Sequence, residues 1–148
     1  MVRHFCRLVL ALSLVLAARA AEPAPANPSA SAFRRAALAG PVQWSGWDAS
    51  LVQRAKQEGK PVYVFVGSFL SELSRATLRQ SFTNPEVAAF LNANFVCVLV
   101  DREEQPDVAA GLQHYLHTVK QLDGWPANAW LTPELQPYEG ATYLPPSE

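Results

Sequence analysis

Between residues 51 and 144 the apolar positions fall into two kinds of pattern, stripes at helical spacing and short unbroken runs. Leu51, Val52 and Ala55 form the first stripe, with Asp48 as the expected N-cap and Gly59 as the residue that ends the helix. Pro61 to Val66 (PVYVFV) is a β-branched and aromatic run without a polar position, the signature of a strand buried on both faces. A second helical stretch covers Glu72 to Arg79. Asn84-Pro85 then reads as an N-cap followed by a first-turn proline, opening a short helix through Val87, Phe90 and Leu91. Phe95 to Val100 (FVCVLV) is a second buried strand. Val108, Leu112, Tyr115, Leu116 and Val119 recur at helical spacing within Pro106 to Lys120. Ala129-Trp130-Leu131 and Tyr138 to Leu144 frame a closing hairpin around Thr132 to Pro137. The order is αβαβαββ. Buried strands joined by helices predict an α/β fold with parallel central strands, and the hairpin makes the sheet mixed.

The N-terminal end follows another pattern. Arg3, His4 and Arg7 precede an apolar run from Leu8 to Ala18, broken only by Ser13, and Ala18-Arg19-Ala20 supplies small residues at the exit. Basic start, short apolar stretch and A-x-A exit are the features of a secretory signal peptide, so residues 1–20 are assigned to one. The run is shorter than the ~20 residues that a membrane span needs. The chain is therefore expected to be exported, to a periplasm or outside the cell, with no stable membrane span after cleavage. Residues 21–32 (AEPAPANPSASA) hold one charge and little to bury, so a flexible leader is expected through residue 40 and a folded domain over 41–148. The folded region is expected to begin near Phe33 and no later than Trp44.

Composition changes the picture in two places. The 148 residues carry 12 basic and 13 acidic side chains, and this near-balance, with a pI near 6.3, excludes the basic face of a nucleic-acid binder. Removing residues 1–20 takes away Arg3, Arg7 and Arg19, which leaves nine basic against thirteen acidic side chains, a net charge of −4. The same cut removes Cys6 and leaves Cys97 alone, so the mature chain cannot close an intramolecular disulfide.

Several segments are specific in combination: Pro41-Val42-Gln43-Trp44 with Trp47, Lys60-Pro61, Phe95 to Val98 (FVCV), Val100 to Asp107 (VDREEQPD), Gly124-Trp125-Pro126, Leu131-Thr132-Pro133 and Thr142 to Pro146 (TYLPP). On these segments residues 41–146 resemble the thioredoxin-like N-terminal domain of the spermatogenesis-associated protein 20 family. The resemblance implies a thioredoxin-like fold, a mixed central sheet flanked by helices. It also implies a cis-proline at Pro126, beside the place where family members carry Cys-x-x-Cys. Counting back from Ser81-Phe82, those two positions are Ser71 and Ser74 here, with Leu73 where a tryptophan and Arg75 where a histidine is usual. The resemblance implies as well a closing helix after the hairpin. The chain stops at Glu148, so that helix is expected to be missing. One sheet face would then be open to another chain or to a second copy, or the sequence would be a fragment of a longer family member.

The loss of the two thiols governs the expected chemistry. Dithiol exchange needs a thiolate that attacks a disulfide and a second thiol that resolves the mixed species. A serine hydroxyl is barely ionised at neutral pH and forms no S–S bond. Cys97, among apolar strand neighbours, reads as a buried structural thiol. The main expectation is thus a redox-inactive thioredoxin-like module that binds a protein or peptide, with no cofactor. Trp125 and Pro126 are the expected binding residues, since in this fold the segment before the proline presents backbone groups to an extended peptide. The alternative is a thiol-disulfide oxidoreductase of the same superfamily, acting through Cys97.

Other candidates have plainer readings. Ser71 or Ser68 is expected to cap the following helix, and neither a G-x-S-x-G turn nor a nearby histidine supports a serine nucleophile. Asp101, Glu103, Glu104 and Asp107 lack the turn of a calcium loop and are read as solvated charges and helix capping. His114 and His117 lie three apart without a third ligand, so they are read as surface positions and no metal is expected. Trp44, Trp47 and Trp130 are assigned to the core and its lid.

Overall fold

A computed structural model describes residues 30–145. The signal-peptide assignment on residues 1–20, and Cys6 with it, lies outside the described residues. The elements run α1 (Ala32–Leu38), α2 (Leu51–Glu58), β1 (Val62–Gly67), α3 (Glu72–Gln80), α4 (Pro85–Asn94), β2 (Val96–Asp101), α5 (Pro106–Tyr115), a π-helical turn (Leu116–Lys120), β3 (Ala127–Leu131) and β4 (Pro137–Ala141). No described helix is long and apolar enough to cross a membrane.

The sheet is four-stranded in the order β2-β1-β3-β4. β1 runs parallel to β2, with Val62 opposite Val96 and Gly67 opposite Asp101. It runs antiparallel to β3, with Val62 opposite Leu131 and Val66 opposite Ala127, and β3 and β4 form the antiparallel hairpin. The sheet is mixed, as the pattern predicts, but its parallel pair is β1 with the terminal strand β2, whereas the two central strands, β1 and β3, are antiparallel because the closing hairpin joins the sheet beside β1. The outer edge of β2 is closed by Ser45, whose N–H donates to Cys97 O at 2.9 Å while its C=O accepts from Leu99 N at 3.0 Å.

All six residues of β1 and all six of β2 are buried. Strand alternation sends Val62, Val64, Val66, Val96, Val98 and Val100 to one face, against Leu51 and Ala55 of α2 and Ala109 and Leu112 of α5. Tyr63, Phe65, Cys97 and Leu99 face the other way, against α1, α3 and α4. That second layer is aromatic: Phe65 meets Phe82 edge to face at 4.8 Å between centroids, and Trp44 meets Phe82 at 5.0 Å. Trp44, Trp47 and Trp130 are half-buried against the two cores, as a lid would be.

Three local expectations are corrected. The leader does not extend to residue 40: Ser31 caps α1 by accepting from Arg34 N–H, and Phe33 is completely buried against Phe65. One aromatic side chain is enough to draw this small-residue segment into the core. Asp48 does not cap α2, because its carboxylate turns to Ser50, accepting from both its N–H and its hydroxyl, and the helix starts at Leu51. The last helix is not α-helical to Lys120; it loosens at Leu116 into the π-helical turn, which ends at Gln121 with φ 55°. By contrast Asn84 accepts from the N–H groups of Glu86 and Val87 ahead of Pro85, and Gly59 ends α2 with φ 63°, as their residue types require.

Candidate functional site

β1 ends at Gly67, and Ser68-Phe69-Leu70 turns the chain into α3. Ser68 Oγ accepts from Leu70 N–H at 3.0 Å and donates to Glu103 Oε1 at 2.9 Å, which ties this turn to the one after β2. Ser71 is the N-cap of α3, accepting from Ser74 N–H at 3.2 Å. Ser74 is completely buried, and its hydroxyl has no hydrogen-bond partner among the described residues. The two hydroxyls therefore differ: that of Ser71 is spent on the helix end, and that of Ser74 is shut inside.

The segment Gly124-Trp125-Pro126 lies at the same end of the sheet. Val66 pairs with Ala127, so the next step of the antiparallel register sets Pro126 opposite Gly67. The Trp125–Pro126 peptide bond is cis, as the resemblance implied. Among the described residues, no loop backbone hydrogen bond involves Gly124 or Trp125. Arg102, whose N–H donates to Gly67 O at 3.0 Å, spreads its guanidinium over the Trp125 ring at 5.0 Å.

Around these residues lies an apolar patch that the sequence analysis did not single out. Phe69 is 47% exposed, Leu70 84% and Leu73 44%. The signal was present as two large apolar residues in a strand-to-helix turn, where polar residues are the rule. Beside the patch, Arg75 stands over the Phe69 ring at 5.7 Å, donates to Phe69 O and pairs with Glu72. Glu72 also accepts from Arg79 at 3.0 Å, and the two arginines hold its carboxyl below the ordinary range.

Cys97 belongs elsewhere. It sits opposite Tyr63 in the parallel register, four positions before the Gly67–Asp101 end, which is about 13 Å along the strand. It is 3% exposed, and burial pushes its thiol up to about 12. A thiol held in that state neither reaches the α3 terminus nor ionises near neutral pH. Of the acidic cluster, Glu103, Glu104 and Asp107 are exposed, as solvated charges would be, and Asp101 is the buried member. Asp101 is 3% exposed and accepts from Glu103 N–H at 2.9 Å, while Glu104 accepts from Ser31 N–H at 2.9 Å. His114 and His117 are exposed on α5 and its continuation, with His117 Nδ1 at 2.9 Å from Asp123. No group of three or more metal-ligating side chains occurs among the described residues.

This geometry can be set beside known proteins. Mouse spermatogenesis-associated protein 20 is 42% identical over 108 residues, which cover 73% of this chain and 14% of that protein. The chain thus spans about one-seventh of the length of the curated relatives it matches. A DsbH oxidoreductase superposes with a TM-score of 0.53 at 19% identity, covering 71% of this chain and 75% of the other. A disulphide-isomerase-like protein from Bacteroides thetaiotaomicron does so with 0.57 at 15% identity, covering 72% and 84%. At such identities these two establish a common thioredoxin-like fold and nothing about chemistry. A family model, Thioredox_DsbH, described as a protein of unknown function (DUF255), matches residues 26–148. With that match over the whole folded region, and a relative that is 42% identical, the chain belongs to the Thioredox_DsbH (DUF255) family.

Proposed function

We propose that this chain is a redox-inactive thioredoxin-like module that binds an extended polypeptide segment at the surface between the start of α3 and Trp125-Pro126, and that it acts after export. The observation that carries the reading is the replacement chemistry at the α3 terminus. Hydroxyls stand at positions 71 and 74, and the one thiol among the described residues is buried within β2, four positions before the strand end. Beside those hydroxyls, Phe69, Leu70 and Leu73 expose apolar surface. An extended segment would pair its backbone with the free groups of Gly124 and Trp125 and lay alternate side chains on that patch.

The reading is tested by probing an array of immobilised extended peptides with the wild-type chain and with Leu70→Asp and Trp125→Ala variants. Binding to apolar-rich peptides that falls at least tenfold in both variants is expected. Equal binding by wild type and variants would remove the surface from consideration. Insulin-disulfide reduction should stay at background, and a turnover abolished by Cys97→Ser would restore the oxidoreductase reading instead.

A further inference from the structure

An open groove of about 550 Å³ runs between α5 and the loop before β3, bounded by Arg102, Ala109, His114, His117, Asp123 and Trp125. Every residue that lines it lies between positions 102 and 125, so neither end of the described chain forms part of its wall. Through Trp125 it adjoins the peptide-binding surface at the start of α3.

Charge decides what the groove can take. Arg102 is its one permanent cation, and Asp123, its one carboxylate, meets His117 Nδ1 at 2.9 Å. Three contacts fix Arg102 in place. Its backbone N–H donates to Gly67 O at 3.0 Å, its guanidinium stands over the Trp125 ring at 5.0 Å, and its Nε lies 3.3 Å from Glu103 Oε1. Glu103 Oε1 is in turn held by Ser68 Oγ at 2.9 Å. Ser68, Glu103, Arg102 and Trp125 thus form one chain of contacts, from the turn ahead of α3 to the segment ahead of the cis-proline. Glu103 approaches the guanidinium at Nε, and among the described residues no hydrogen bond engages either Nη. The Arg102 side chain is 42% exposed. The groove therefore presents a reachable, pre-oriented fork of N–H donors, the shape that matches both oxygens of a carboxylate. A cation would find the Trp125 face taken by Arg102 and the Asp123 carboxylate taken by His117.

We propose that Arg102 selects the polypeptide bound at this surface, by pairing with the carboxylate of a Glu or Asp side chain that the extended segment lays into the groove. The inference rests on the peptide-binding reading and adds a requirement to it: apolar side chains on Phe69, Leu70 and Leu73, and an acidic one beside Trp125. The carboxylate is that of a side chain and not of a chain end, because a segment extended over the patch and Trp125 offers the groove side chains along its length.

The test uses the full chain and short peptides, acetylated and amidated so that their ends carry no charge. Leucine and threonine alternate along them, and one further position, scanned along the peptide, holds Glu, Gln or Lys. Affinities are read by fluorescence polarisation. Wild type is expected to bind the best Glu peptide about fivefold tighter than its Gln counterpart, the upper range for a half-exposed ion pair. That preference should shrink as salt is raised, a readout that needs no variant. In Arg102→Gln the ratio should fall to about one, and in Arg102→Glu the Lys peptide should become the tightest of the three, with circular dichroism showing that both variants fold. Equal binding of Glu and Gln peptides by wild type overturns the role of Arg102 and leaves the peptide-binding reading standing, as does a preference that survives in Arg102→Gln. Failure of every peptide to bind overturns both. A Gln peptide with a free C-terminal carboxylate that binds as tightly as the Glu peptide would assign the carboxylate to a chain end and overturn the side-chain assignment.

Discussion

The Phe33 ring occupies the space that a β-carbon on Gly67 would need: such a carbon would stand 2.3 Å from Phe33 Cζ. Gly67 is the last residue of β1, directly ahead of the turn into the candidate surface. The first helix therefore clamps the strand end from which Ser68, Phe69 and Leu70 project. Because Phe33 is completely buried and stacked on Phe65, its ring cannot swing away cheaply. Gly67→Ala is expected to destabilise the chain by about 1–3 kcal/mol through overpacking. Phe33→Ala should cost about 3–5 kcal/mol through the cavity it leaves. Urea melts of both variants check this, and a Gly67→Ala chain as stable as wild type would show that α1 is not held against the strand end.

Tyr63 and Asn128 form a second buried dependence, since the phenol donates to the amide oxygen at 2.6 Å and both residues are at most 3% exposed. Tyr63→Phe removes the donor and leaves Asn128 Oδ1 buried without a partner, at a cost of about 1–3 kcal/mol. In a double-mutant cycle, Tyr63→Phe with Asn128→Leu should cost less than the sum of the single changes. Additivity in that cycle would count against the bond.

Alkaline pH should destabilise the fold through Cys97. Its ordinary thiol value is 9.0, and burial raises it in the folded chain to about 12. Between those values the unfolded thiol has lost its proton and the folded one keeps it, so the folded state binds more protons and stability falls as pH rises. The stabilisation is complete below pH 9, and the slope approaches about 1.4 kcal/mol per pH unit above it. Tyr63, raised by its own burial, adds a loss of the same sign above pH 10. Chemical denaturation of wild type and Cys97→Ala between pH 8 and 10 checks the first term. The variant should show the flatter dependence, and equal slopes would contradict it.

Placing thiols at the α3 terminus should confer dithiol exchange, which serine hydroxyls cannot perform. A helix N-terminus lowers the pKa of a thiol placed on it, so the double variant Ser71→Cys, Ser74→Cys is expected to reduce insulin disulfides while wild type stays at background. Ser74→Ala alone should be neutral or stabilise by up to about 1 kcal/mol, because it removes a buried hydroxyl that has no partner. A thermal melt decides that point, and marked destabilisation would reveal a hydrogen bond to Ser74 Oγ.

Much of the architecture was legible along the chain because it rests on local physics. Unbroken apolar runs such as those over Val62–Val66 and Val96–Val100 can be satisfied only by burial on both faces. Asn84-Pro85 and Gly59 act through the backbone of their immediate neighbours. The serines at positions 71 and 74 are equally legible, since residue identities need no coordinates. By itself, then, the sequence determined the order of elements from α2 onward, the mixed sheet and the absence of a dithiol at the third helix.

Contacts between distant segments were decided only by the tertiary structure. Nothing near Phe33 in sequence reveals that its ring packs on Gly67, more than thirty residues away. Asp48 looks like a helix cap until the position of Ser50 shows where its carboxylate finds better donors. The exposure of Phe69, Leu70 and Leu73 is decided by what the fold leaves uncovered around α3, and the groove beside Trp125 exists only because the fold brings Arg102 back against that ring. Hydrophobic pattern records which residues must leave water. It does not record which partner each one meets, because burial is non-directional and the pairing of faces is settled by the geometry of the whole sheet.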